Sequence, residues 1–197
     1  MNTQHIILLL AWIVYCVLHS VLASGAVKRK FQGWLGARSR YYRFAYTLFA
    51  FIGLVAVLLY QVTIDSPLLF ERRLIITVLA AAFASLGAAM MMLNIIKYFV
   101  QLSGVKWLVA ASVEAKLERG GLHGYVRHPL YLSTFLFIWA LWVVYPYLSL
   151  LVADVVITLY TLIALRFEEQ KLLAEFGEEY RVYQQEVPMI LPRIRKK

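Results

Sequence analysis

The sequence predicts an all-α membrane protein with five transmembrane helices. Three observations point there. Of its 197 residues 62% are hydrophobic, with a mean hydropathy of +0.70, whereas a soluble domain is nearer half apolar. The apolar residues gather in runs of 15 to 20, and about 20 residues cross a bilayer. The 20 Lys and Arg residues stand beside those runs.

The first span is Ile6–Ala23, with His19 and Ser20 near its inner end. The small residues from Leu22 to Ala26 resemble a signal-peptide cleavage site. However, no Lys or Arg precedes the run and Lys28-Arg29-Lys30 follows it, which predicts a retained span. The second span is Phe44–Val62 and the third Leu74–Leu93, extended by Asn94 and Lys97. The fourth, Leu130–Val144, has only 15 residues. At ~1.5 Å per residue it reaches ~22 Å, short of a ~30 Å core. Tyr145-Pro146-Tyr147 breaks the chain, because proline does not continue a helix, and Leu148–Leu165 forms the fifth span as an antiparallel partner.

Charge sets the orientation. With the N-terminus outside, 18 of the 20 Lys and Arg fall on the cytoplasmic side, in line with the positive-inside rule. The net charge of +9 is thereby explained by membrane orientation and does not argue for nucleic acid. The lone cysteine, Cys16, excludes an internal disulfide, and no zinc pattern or metal site is visible. The tail from Arg166 to Tyr183 reads as a cytoplasmic amphipathic helix: Leu172, Leu173, Phe176, Tyr180 and Tyr183 form one apolar stripe. Gly177 inside that pattern predicts a close approach or a kink, Pro188 and Pro192 end the helix, and Arg193–Lys197 forms a basic end suited to anionic headgroups. The chain is read as one membrane-embedded domain over 1–197, with a three-helix part at 1–100 and a hairpin and tail at 101–197.

The most informative stretch is Gly121-Leu-His-Gly-Tyr-Val-Arg-His-Pro-Leu-Tyr131. Proline suits the first helical position and pushes the preceding residue out of the α region. His128 is therefore expected to cap a helix that begins at Pro129. Free N–H groups and the positive dipole end there make a ready anion site. A hairpin turning at Pro146 would bring Arg166-Phe-Glu168-Glu169 to the same membrane face. Arg127 is equally what a snorkelling interfacial arginine looks like, and Glu168 and Glu169 what a solvated helix start looks like. His19 and Asp154 read as bundle polar residues, although an acid inside a membrane is a functional candidate by default. Met90–Met92 reads as packing or a lipid-facing surface, and Tyr145 and Tyr147 as interface anchors.

These residues carry a resemblance. The stretch above, followed by Glu168-Glu169-x-x-Leu-x-x-x-Phe-Gly-x-x-Tyr-x-x-Tyr183 and Val187-Pro188, resembles the isoprenylcysteine carboxyl methyltransferase and phospholipid methyltransferase superfamily. The match covers about residues 115–192. His19-Ser20 and the basic stretch after it are also similar to bacterial branches with methanethiol S-methyltransferase-like and NnrU-like proteins. The resemblance implies an integral enzyme of the bacterial inner membrane that uses S-adenosylmethionine and takes a lipophilic or small hydrophobic acceptor bearing a carboxylate, thiol or amine. Cofactor contacts carried over by position fall on Lys116, Leu117, Glu118, His123, His128, Pro129, Leu130, Tyr131, Glu168 and Glu169. The sequence departs from the pattern at His123, where tyrosine is usual, at Ser133, where glycine is usual, and at Ala164, where prenylcysteine enzymes place arginine. The last change weakens the case for a prenylcysteine substrate.

Chemistry adds roles. The helix start with His128 suits the cofactor carboxylate, and Glu168 or Glu169 suits its ammonium or a ribose hydroxyl. Tyr125, Tyr131 and Tyr180 offer ring faces for a sulfonium. Methyl transfer is an in-line displacement, so positioning carries most of the catalysis. Arg127 and His128 are the catalytic candidates, with His128 or His123 as proton acceptor for an amine. Two other readings compete: an NADPH-dependent reductase of the sterol-reductase type, and a non-catalytic membrane protein that keeps the scaffold.

Overall fold

The computed structural model describes residues 2–36, 41–102 and 117–192. Lys116, Arg38, Arg40 and the basic end at 193–197 lie outside the described residues. The described chain forms seven α-helices: α1 Thr3–Ala23, α2 Gly25–Leu35, α3 Tyr42–Thr63, α4 Leu74–Leu102, α5 Pro129–Val144, α6 Leu148–Phe176 and α7 Glu178–Glu186. Among the described residues there is no strand, only one isolated bridge between Leu68 and Tyr147. Four helices are long and apolar enough to cross a membrane, within Thr3–Ala23, Phe44–Thr63, Leu74–Lys97 and Leu148–Phe176. The apolar α5 is shorter, at 16 residues.

The chain packs as two units. The first takes Met1–Glu71, Lys97–Val113 and Tyr145–Tyr160. Its core is a stripe at helical spacing, Leu8, Trp12 and Cys16 of α1, closed by Ile64, Ala153 and Val156. Several polar groups inside it are paired, as an apolar medium favours. The Trp12 indole donates to Gln61 at 3.0 Å. The Asn2 side chain caps α1 by accepting from the His5 N–H at 3.1 Å. Ser66 Oγ meets the His5 ring at 3.1 Å and accepts from the Ser149 N–H at 2.9 Å. Leu69 N–H donates to the Pro146 carbonyl and Leu148 N–H to that of Pro67, at 2.8 and 3.1 Å. The Tyr147 N–H reaches the Tyr145 carbonyl at 2.7 Å. Pro146 thus sits at the centre of a three-residue turn that its fixed φ favours, which is the break expected there.

His19 has a tyrosine partner, the Tyr46 hydroxyl at 3.1 Å, and Ser20 donates to the Tyr160 hydroxyl at 3.1 Å. Asp154 is buried, and its Oδ2 has no partner among the described residues; an unsatisfied buried acceptor costs ~1–3 kcal/mol. The basic stretch after α1 folds as a helix, α2, which the charge pattern does not predict. Ser24 ends α1 and its hydroxyl accepts from the Val27 N–H at 3.3 Å, starting α2.

The second unit takes Arg72–Ile96, Glu114–Val144 and Thr161–Lys197. Helices α4 and α5 touch at Gly87, where a Cβ would come within 2.7 Å of the Phe137 backbone nitrogen. Only glycine allows that approach. Ser133 is fully buried and turns its hydroxyl to the Leu130 carbonyl at 2.8 Å, so the polar atom that replaces the usual glycine is satisfied locally.

The tail departs from expectation in one respect. The fifth apolar run and the start of the tail are one helix, α6, and the break falls at Gly177. Gly177 adopts φ +55° and ψ −125°, the conformation of the first central residue of a type II′ turn, where glycine dominates. A Cβ there would meet nothing within 4 Å, so the backbone angle and not a close approach requires this glycine. The expected stripe holds across the break: Tyr180, Tyr183 and Val187 form a core cluster with Leu117, Leu172, Leu173 and Phe176.

Candidate active site

The candidate site lies wholly in the second unit. Helix α5 starts at Pro129 with His128 just before it, as the proline rule predicts. The preceding glycine-rich stretch forms a 3-10 turn at Gly121–Gly124, entered through Gly121 at φ +60°. Two ties lock that turn. Tyr183 donates its hydroxyl to the His123 carbonyl at 2.6 Å, and His123 Nδ1 meets the Arg127 carbonyl at 3.1 Å. Upstream, Glu118 accepts from the Gly120 N–H at 3.0 Å. Arg119 pairs with Glu186 and lies over the Tyr183 ring, 5.3 Å from its centre. Leu117 packs in the Tyr180–Tyr183 cluster.

Glu169 is the hub. Arg127 grips it with both arms, Nε to Oε1 at 3.0 Å and Nη2 to Oε2 at 2.7 Å, the fork-to-carboxylate geometry that only arginine offers. His128 Nε2 meets Oε1 at 2.6 Å, the Tyr180 hydroxyl donates to Oε1 at 2.6 Å, and the Gln184 amide donates to Oε2 at 2.7 Å. The pair is nearly dry, with the Arg127 and Glu169 side chains 9% and 13% exposed. Burial alone would lower the Arg127 pKa, but the hydrogen bond and charge of Glu169 outweigh it and the net shift is upward. Burial and then the Glu169 hydrogen bond push the Tyr180 hydroxyl up as well, so it stays a donor.

Arg127 also binds main chain. Its Nη1 donates to the Gln184 and Val187 carbonyls at 3.2 and 2.5 Å. The backbone does likewise: Arg127 N–H donates to the Pro188 carbonyl at 2.9 Å and His128 N–H to that of Met189 at 3.1 Å. The last described residues are thereby stitched to the Arg-His-Pro turn.

The two acids play different parts. Glu168 accepts from the Tyr131 hydroxyl through Oε2 at 2.8 Å, and its Oε1 has no partner among the described residues. Leu130 supplies the first N–H of α5, because Pro129 has none; helix geometry leaves this N–H without an intrahelical acceptor. One open carboxylate oxygen and a free helix-start N–H are the complements of an ammonium and a carboxylate. That donor set fits the amino-acid end of S-adenosylmethionine. Of the expected contacts, Glu118, His123, His128, Pro129, Leu130, Tyr131, Glu168 and Glu169 fall on one continuous network or its flank. The sequence reading did not single out Gln184 or the carbonyls of residues 184 and 187–189.

Residues 73–179 match the family model described as phospholipid methyltransferase. A methanethiol S-methyltransferase of Pseudomonas deceptionensis is 32% identical over 192 residues, covering 93% of this chain and 71% of that protein. One from Mycobacterium tuberculosis is 30% identical over 188 residues, covering 91% and 74%. One from Crocosphaera subtropica is 40% identical over 84 residues, covering 42% of this chain and 31% of that protein. These alignments thus span between 31% and 74% of the relatives' own length. No solved structure matches the chain.

Proposed function

The chain belongs to the phospholipid methyltransferase family, and from that premise we propose that it moves the methyl group of S-adenosylmethionine to a small hydrophobic thiol. The relatives' names favour the thiol among the carboxylate, thiol and amine acceptors that the site chemistry admits. The cofactor supplies an electrophilic methyl group; the protein binds, orients and excludes water. Glu168 holds the ammonium through its open oxygen. The Leu130 N–H at the start of α5 takes the carboxylate. Arg127 and Glu169 act on the scaffold, since their polar atoms are spent on each other and on the tail. Leu117 and Glu118 border the cofactor ahead of the 3-10 turn.

The observation that carries this reading is the meeting of Arg127-His128 with Glu168-Glu169, about 40 positions apart in sequence, with one carboxylate oxygen left open. Glu168→Ala weakens S-adenosylhomocysteine binding at least tenfold, about 1.4 kcal/mol, as read by titration calorimetry on detergent-purified protein. Wild-type protein that binds no S-adenosylhomocysteine in several detergents would sink the assignment. Binding without methyl transfer to any small thiol or lipid extract would favour a non-catalytic role. The family match favours methyl transfer over nicotinamide-dependent reduction.

The orientation is part of the proposal: one membrane-embedded domain, five spans with α5 as the fourth, the N-terminus outside and α7 on the cytoplasmic side of the inner membrane. The support is the 18 of 20 basic residues that this arrangement places inside. With Cys16 replaced by alanine, single cysteines at position 2 and at Tyr147 react with an impermeant maleimide added to spheroplasts, and one at Glu178 does not. The reverse pattern overturns the orientation.

A further inference from the structure

We propose that His128 is the catalytic base of the reaction, taking the proton of the acceptor thiol at Nδ1, and that Glu169 is the positioning residue that fixes its tautomer. The proposal rests on the methyl-transfer reading above.

The hydrogen-bond inventory of Glu169 decides where the proton on His128 sits. Oε1 faces Arg127 Nε, His128 Nε2 and the Tyr180 hydroxyl, and Oε2 faces Arg127 Nη2 and Gln184 Nε2. A forked guanidinium keeps the carboxylate ionised, and an ionised carboxylate only accepts. At 2.6 Å the His128 nitrogen facing it must therefore donate. The neutral ring then carries its hydrogen on Nε2 and its lone pair on Nδ1. Nδ1 has no hydrogen-bond partner among the described residues.

The ring is held as a base should be. His128 is 5% exposed, its backbone is tied to Met189, and its ring lies 5.7 Å from that of Tyr131. A carboxylate behind an imidazole sets the tautomer and stabilises the imidazolium that forms. Glu169 of α6 and Tyr131 of its own segment face the ring, and Arg127 and Tyr180 share the Glu169 carboxylate with it.

The step balances simply. The thiol S–H bond breaks, an N–H bond forms at Nδ1, and the electron pair stays on sulfur, which becomes the nucleophile; the proton later leaves to water. A base has work to do here, because even a cysteine-like thiol with a pKa near ~8.5 is only a few per cent thiolate at pH 7, and a simple alkanethiol is less ionised still. No acceptor base is needed once the thiol is already ionised, and that difference supplies the test.

Two measurements bear on it. In nitrogen-15 histidine-labelled protein at pH 7, the His128 ring shows the neutral Nε2–H tautomer, and Glu169→Gln erases that preference. A ring carrying a proton on Nδ1 in the wild type, neutral or cationic, overturns the proposal. In kinetics, His128→Asn loses about 100-fold in kcat/KM with an alkanethiol but under about fivefold with a more acidic aromatic thiol, a base being worth ~10²–10⁴-fold. Equal losses with both thiols also overturn it. If His128→Asn does not fold, the wild-type spectrum alone decides. S-adenosylhomocysteine binding by wild-type protein, measured in parallel, separates the two readings: its absence indicts methyl transfer and leaves the tautomer result standing.

Discussion

Arg127→Met destabilises the protein by ~3–5 kcal/mol, because it leaves the Glu169 charge in a nearly dry site without its main partner. It also removes the donors that hold the Gln184 and Val187 carbonyls. The thermal midpoint in detergent falls, and protease cuts the chain after α7 in the folded preparation. Glu169→Leu is similarly damaging. The double variant Arg127→Met, Glu169→Leu recovers part of the loss, since no charge is then left unpaired and contacting sites are not additive. A double variant as unstable as the sum of the singles overturns this account of the pair. Arg127→Lys falls between, because an ammonium keeps the charge without the fork.

Gly177→Ala costs ~1–3 kcal/mol although its methyl group meets nothing. The cost is pure backbone: φ +55° with ψ −125° is open to glycine and strained for any residue with a Cβ. The variant loosens α7, and with it Tyr180 and Gln184, two of the donors on Glu169. Its thermal midpoint drops, and its S-adenosylhomocysteine affinity drops with it. An unchanged midpoint would mean that the turn relaxes freely and does not define the start of α7.

What the sequence made legible follows from which signals are local. Each apolar run became a helix, and Pro129 and Pro146 mark a helix start and a turn through the φ that proline imposes. The tail stripe was legible because a 3.6-residue period survives in Leu172, Leu173, Phe176 and Tyr180. The same period hid the break at Gly177, since side-chain spacing says nothing about the sign of one φ angle. The basic run after Ala23 is an orientation signal in sequence and conceals α2, whose cap Ser24 lies in a cleavage-like stretch.

At the site, Arg127, His128, Glu168 and Glu169 stood out because charge next to membrane is conspicuous. Their division of labour did not. Two adjacent acids are equivalent on paper, and only coordinates show that Glu169 takes the arginine while Glu168 keeps an open oxygen. The carbonyls of Gln184, Val187, Pro188 and Met189 were invisible for a simpler reason: every residue has one.

The stitching of residues 127 and 128 to residues 187–189 also has a bearing on biosynthesis. Chains emerge from the ribosome N-terminus first, so the Arg-His-Pro turn is made about 60 residues before the main-chain groups that close it. During that interval the guanidinium has no native tail to hold. Synthesis of residues 187–189, rather than of the Arg-His-Pro turn itself, is therefore the event that closes the site, and a nascent chain stalled before Val187 is inert.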